Sequence, residues 1–264
     1  MRGSKGSDIM AAFIPGRDKL ISILTPVALL ALWEIGARLG SVDTRFFSSP
    51  TLIAHQFVVL SRSGEIWLNI GVSLQRLGIG FVIGGVPAIV LGIAMGLSRP
   101  VRAAIDPLIA ATYPLPKSAI FPLILLIFGL GEASKIVMVA LGVFYPLIIN
   151  TMTGVLQIER IYLDVGKNFG ANRRQIFYTV ALPGALPSIF AGIKLGVGMG
   201  LVLIAISEMI GADSGLGFMI WNAWQTLSVE TMYVGLVVIA IIGYVLSVVL
   251  DELENWLLPW KRGR

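Results

Sequence analysis

Apolar residues gather along this chain into blocks of about 20 residues, the length that carries a helix across the roughly 30 Å hydrocarbon core of a bilayer. The blocks predict six spans: Leu20 to about Leu39, Arg76 to about Leu97, Ala103 to Phe128, Lys135 to about Gln157, Pro187 to Ile210, and Met232 to about Leu250. In the first, Pro26 is a candidate kink, and Glu34 and Arg38 stand i,i+4, the spacing of an ion pair on one helix face. The third is interrupted at Tyr113-Pro114-Leu115-Pro116-Lys117, and four prolines from Pro107 to Pro122 rule out one unbroken helix. Irregular backbone at membrane depth persists only where protein or a wet cavity covers it. Pro114, Pro116, Lys117 and Ser118 are therefore pathway candidates, with Lys117 placed to meet an anion.

The breaks carry signals of their own. Ser41 to Gln75 is amphipathic, with a helix start at Ser49-Pro50-Thr51, an apolar side of Leu52, Phe57, Val58 and Leu60, His55 at the surface and Trp67 as an interfacial aromatic. Arg99-Pro100-Val101-Arg102 reads as a short basic turn, Gly129 to Glu132 as another turn, and Phe218 to Leu227 as a short interfacial or re-entrant helix. Gly80/Gly84 and Gly92/Gly96 permit close helix contact. Gly192, Gly196 and Gly200 form a stripe expected to meet another helix, with a symmetry mate among the candidates.

The longest polar interruption of the hydrophobic middle runs from Ile161 to Gly192, and Gly170 within it tolerates the φ > 0 of a tight reversal. Phe169, Ile176, Phe177 and Val180 supply an apolar side, and Lys167, Arg173, Arg174 and Gln175 a polar one. Leu182-Pro183 is expected to end a helix that reaches it. Gly166 weakens a helix around it by roughly 1 kcal/mol relative to Ala.

Composition fixes the class. Of 264 residues, 56% are apolar and 13% charged, with a mean hydropathy of +0.86, against about 25% charged in soluble domains. The chain is an all-α integral membrane protein. Its excess of basic residues, +5 overall, sits at the ends of apolar runs, which points to membrane topology and away from nucleic acid. The absence of cysteine excludes thiolate metal sites, and His55, the sole histidine, argues against a histidine-based one. Lys and Arg cluster near the N-terminus, at Arg99/Arg102, from Arg160 to Arg174 and from Lys261 to Arg264, so the positive-inside rule places both ends in the cytoplasm. Residues 1–19 form an N-terminal segment, with MRGSKGSDIM a candidate leader ahead of Met10. Residues 20–250 form the spanning domain, with the polar segment at 160–183, and 251–264 a cytoplasmic tail. Lys117, Lys194 and Glu208 are the ionisable groups expected within or beside the membrane core, each needing a partner or a wet site. Lys194 is expected to snorkel to the cytoplasmic surface. No G-x-x-x-x-G-K-[ST] stretch is present, so any ATP that drives this chain binds another polypeptide.

Asp164-Val165-Gly166, Gly170, Val180 and Leu182-Pro183 fall at a familiar spacing: Glu-Ala-Ala, three residues, Gly, nine residues, Ile, one residue, Leu-Pro. The stretch resembles this motif of permease subunits of binding-protein-dependent ABC importers, with Asp for Glu and Val-Gly for Ala-Ala. The resemblance extends from about Leu20 over nearly the whole chain. It includes Ser49-Pro50, Ser63 to Trp67 and Glu208 to Gly217, and looks like the sulfonate, taurine, nitrate and bicarbonate group. It implies the type I ABC importer permease fold in a bacterial inner membrane, as a homodimer with cytoplasmic ATPases and an extracytoplasmic solute-binding protein. ATP and Mg would sit on the ATPase, with no cofactor on this chain. The resemblance also implies a short coupling helix, a turn at Gly170 and a second short helix, so that Asp164, Val165, Gly166, Lys167, Phe169, Gly170, Leu182 and Pro183 become the ATPase-coupling residues. Glu208, Asp213, Gly215 and Gly217 become candidates for a gate or a binding-protein contact, with holding of the Gly211–Gly217 loop and simple interfacial solvation as alternatives for Glu208. The rival reading, an ATP-independent secondary transporter or channel, accounts for the broken third span and leaves the motif spacing unexplained. An intramembrane enzyme lacks the catalytic groups it would need.

Overall fold

The computed structural model describes residues 15–259; the candidate leader with Met10 and the cations Lys261 to Arg264 lie outside them. Every regular element among the described residues is helical: α1 (Pro15–Arg38), α2 (Thr44–Phe47), α3 (Pro50–Ser63), α4 (Glu65–Leu97), α5 (Arg99–Thr112), α6 (Lys117–Phe128), α7 (Glu132–Leu156), α8 (Arg160–Asn168), α9 (Arg173–Ile176), a π-helical turn (Phe177–Ala181), α10 (Leu182–Met209), α11 (Leu216–Gln225) and α12 (Val229–Leu257). Four stretches among the described residues are single helices long and apolar enough to cross a membrane: α4, α7, α12 and the run Arg174–Met209. The expected third span is instead the pair α5 and α6, bent by 99°. Two prolines at the elbow, Pro114 and Pro116, supply no N–H to a helical ladder. α1, 24 residues and thus about 36 Å long, exposes Leu20, Leu24, Leu29 and Leu32 and is the remaining candidate.

α4, α7 and α10 form the core. α4 lies parallel to α7: a Cβ on Gly80 or Gly84 would meet Val139 or Ala140, and one on Gly92 or Gly96 would meet Thr151 or Val155. At Gly84 it would stand 2.2 Å from the Ala140 carbonyl oxygen, so the two backbones touch where a side chain would separate them. α10 runs antiparallel to α7, with Gly154 against Ser188 and Gly142 against Leu203. The Gly192-Gly196-Gly200 stripe packs on Leu147, Val143 and Leu77 of the same chain, so the helix it meets is α7, with α4, and no symmetry mate is needed. A second apolar cluster joins α3 (Ile53, Leu60), the start of α4 (Ile66), α11 (Leu216, Met219) and α12 (Val234, Val238).

Several element boundaries differ from the sequence pattern. α4 starts at Glu65, after a left-handed Gly64 (φ 82°), which puts Arg76 inside the span and not at its head. The basic Arg99–Arg102 stretch is the first turn of α5, where Pro100 at a free N-terminal position costs no hydrogen bond. α12 continues through the expected tail to Leu257. Ser49 caps α3, its hydroxyl accepting from Leu52 N–H, and His55 is exposed.

Candidate functional site

The polar segment folds as a helix, a reversal and a return. α8 stops in a paired C-cap: Ala171 N–H donates to Gly166 C=O and Gly170 N–H to Lys167 C=O, with Gly170 left-handed at φ 75°. α9 starts in a reciprocal box, Gln175 N–H donating to the Asn172 side chain and Asn172 N–H to the Gln175 side chain. A Cβ on Gly166 would find only Ile176, at 3.5 Å. Ile161, Tyr162, Val165 and Phe169, with Phe169 88% exposed, make an uncovered apolar ridge along α8. Asp164 and Lys167 form an exposed i,i+3 pair beside it, at 3.7 Å. Phe169 thus leaves the apolar side it was assigned with Ile176, Phe177 and Val180, which are half-buried.

Leu182-Pro183 does not end the return helix. Leu182 N–H donates to Phe177 C=O, five residues back, and this widened turn makes room for Pro183, whose ring would clash in an ordinary α-turn. The helix therefore runs on from α9 through α10, and its apolar part starts before Pro187. The coupling candidates sit at one end of an uninterrupted rod whose far end carries Glu208.

That far end holds a buried ionic cluster. Glu208 is fully enclosed and accepts from Ser73 Oγ, from Arg76 Nη1 at 2.9 Å and from Gly217 N–H at 2.9 Å. Arg76, 2% exposed, also donates to Ser214 C=O and grips Glu132 through Nε and Nη2. Asn69 Oδ1 accepts from Gly215 N–H, and Ser73 Oγ from Leu216 N–H. Lys135 binds the carbonyls of Leu130, Gly131 and Gly211. Side chains on Gly215 or Gly217 would strike the Glu208 carboxylate or the Ala205 carbonyl, at 2.3 and 2.1 Å. Of the alternatives for Glu208, holding the 211–217 loop is what the geometry displays; Asp213, like Gly211, is an exposed member of that loop. Sequence reasoning missed Asn69, Ser73, Arg76, Glu132 and Lys135. A lone guanidinium inside a 33-residue apolar helix was the available signal, since a charge at that depth demands a carboxylate partner.

Lys117 caps the elbow. Its ammonium donates to the carbonyls of Thr112, Tyr113 and Leu115 and lies 4.2 Å over the Tyr145 ring. All three protons are engaged, so an anion must displace a carbonyl to reach it. Pro114, Pro116 and Ser118 are exposed around it. Lys194 does not snorkel free: it pairs with Asp251 and Glu254 on α12. Among the described residues no group of His, Asp or Glu side chains is arranged to hold a metal ion.

Comparison with known proteins bears on this geometry. The taurine transport system permease protein TauC of Escherichia coli is 33% identical over 92% of this chain and 90% of its own length. The putative aliphatic sulfonates transport permease protein SsuC of Escherichia coli is 35% identical over 89% of this chain and 90% of its own. An inward-facing structure of the MetNI methionine ABC transporter superposes with a TM-score of 0.60 at 19% identity, covering 73% of this chain and 97% of that one, and supports the type I ABC importer permease fold. Residues 88–263 match the binding-protein-dependent transport system inner membrane component, and the chain belongs to that family of membrane-spanning ABC transport permeases.

Proposed function

We propose that this chain is the permease subunit of an ATP-driven importer, working as a homodimer with a pair of cytoplasmic ATPases and an extracytoplasmic binding protein. Its solute is a small sulfonate-type anion, of the class named for its taurine and aliphatic sulfonate relatives. The observation that carries the reading is the α8 ridge: apolar side chains left bare on a short helix that a C-cap reverses into the continuous run Arg174–Met209. Such a ridge suits docking in a cleft of a separate subunit. Arg99, Arg102, Lys167 and Arg174 gather at the α8 end and Glu132, Asp213 and Glu230 at the other, which supports a cytoplasmic α8 and cytoplasmic termini. ATP and Mg then belong to the ATPase. ATP-driven closure of the ATPase pair would pull on α8 and, through the return helix, on α10.

Mass spectrometry of the gently solubilised complex, purified from its native membrane through this chain, should find a second copy and a P-loop ATPase. Vesicles containing that complex and its binding protein should take up taurine or an alkanesulfonate only with ATP. Uptake by this chain alone without ATP would replace the reading with a secondary transporter.

A further inference from the structure

Besides a smaller cluster that seats α6 on α7 and α10, the described residues form two larger apolar groups, the α4–α7–α10 core and the cluster of α3, α11 and α12 around it. α12 is loosely seated: 17% of its apolar window is buried, against 39–44% in the other three unbroken spans. On its seam with α10 a small notch lined by Leu74, Leu201, Ile239 and Ile242 reaches to Ser73 and Glu208. Polar contacts close the seam on either side. At the Glu208 end, Ser73 and Glu208 hold the backbone of Leu216 and Gly217 at the start of α11, which packs on α12. Toward the α8 end, the Lys194 ammonium on α10 sits between Asp251 and Glu254 on α12, at 2.5 Å from Glu254 Oε2.

The Lys194 ammonium faces two carboxylates spaced i,i+3 on α12, and Glu254 is 6% exposed. One side chain of α10 thus bridges two of α12 at a partly buried site, which favours keeping the helices together. Lys194 also sits on the rod that starts at the coupling segment, Arg174–Met209, so displacement of that segment reaches Lys194 along continuous helix.

We propose that Lys194 is a positioning residue for transport: it hitches α12, and with it α11 and α3, to α10, so that a pull delivered at α8 moves both apolar groups together. The inference rests on the importer reading. Without the hitch, hydrolysis continues while part of each stroke is spent sliding α10 past α12.

The test is the ratio of solute taken up to ATP hydrolysed, in vesicles holding the complete complex and its binding protein. Lys194→Met should leave ATPase assembly and hydrolysis per complex near wild type and lower the ratio at least roughly fivefold, the lower range of a site-to-site coupling. Lys194→Glu combined with Glu254→Lys should restore it, a rescue that a purely packing role does not give. A wild-type ratio in Lys194→Met overturns the proposal, as does a lowered ratio that the reversed pair fails to restore. If Lys194→Met does not assemble, the reversed pair alone decides: a wild-type ratio supports the hitch and a lowered one overturns it. Uptake by the wild-type complex without ATP would instead sink the importer reading itself, so the two failures are distinguishable.

Discussion

At Gly84 a single added methyl group has nowhere to go, because the nearest atom is backbone oxygen on a packed helix, 2.2 Å away. Gly84→Ala should cost about 1–3 kcal/mol by forcing α4 from α7. Gly78→Ala, which meets nothing within 4 Å, should stabilise by up to about 1 kcal/mol; thermal unfolding in detergent reads both. The ionic cluster has the same kind of asymmetry. Glu208 is enclosed and Glu132 is 62% exposed, although both hold Arg76. Glu208→Gln should destabilise by about 3–5 kcal/mol, the cost of stranding a buried charge. Glu132→Gln should cost nearer 1 kcal/mol, because water already solvates that carboxylate and Arg76 keeps Glu208 and Ser214. Equal losses in the two variants would mean that burial does not set the strength of the cluster.

Among the elements, the reversal after α8 separates local strain from docking. Gly170→Ala must hold a Cβ at φ 75°, at about 1–2 kcal/mol, and should loosen α8 and reduce the ATPase that co-purifies. Gly166→Ala, with only an ordinary contact to Ile176, should firm α8 by up to about 1 kcal/mol and raise it. Asn172→Ala removes one arm of the reciprocal cap, at about 1 kcal/mol. This reversal was legible through the motif spacing, which resembles that of the family and places at the turn a glycine able to hold φ > 0; the elbow at Pro114-Leu115-Pro116 and the cap at Ser49 were legible from their own residues. The continuation of helix through Leu182-Pro183 was not, because proline usually stops a helix and only a widened turn, invisible in composition, avoids the clash. The destination of the glycine stripe on α10 was equally hidden: spacing says that a face is narrow, and tertiary packing decides which helix fills it. Lys117 and Lys194 were found as charges in apolar runs, but their partners, Thr112 to Leu115 and Asp251 with Glu254, depended on the elbow geometry and on α12 extending beyond its apolar stretch.

For the whole molecule, the sharpest contrast between folding and assembly lies at Phe169. It is 88% exposed, so Phe169→Ala should change the permease's own stability by no more than about 0.5 kcal/mol while sharply lowering the ATPase retained on purification. Retention at the wild-type level would remove the ridge from the docking surface. The turn at Phe177–Ala181 bears on the same surface from a distance. It holds one residue more than an α-turn, and each helical residue contributes a rotation of about 100° and a rise of about 1.5 Å. It therefore sets the phase between the glycine stripe on α10 and the ridge on α8, as an index pin sets two gears on one shaft. Deleting Thr179 together with Pro183→Ala, which removes the ring that would clash in an ordinary α-turn, should close the turn into regular helix, leave the span seated on α7, and present the ridge to a different compass bearing. Cross-links from α8 to the ATPase would then vanish, although α4, α7 and α10 still pack as before.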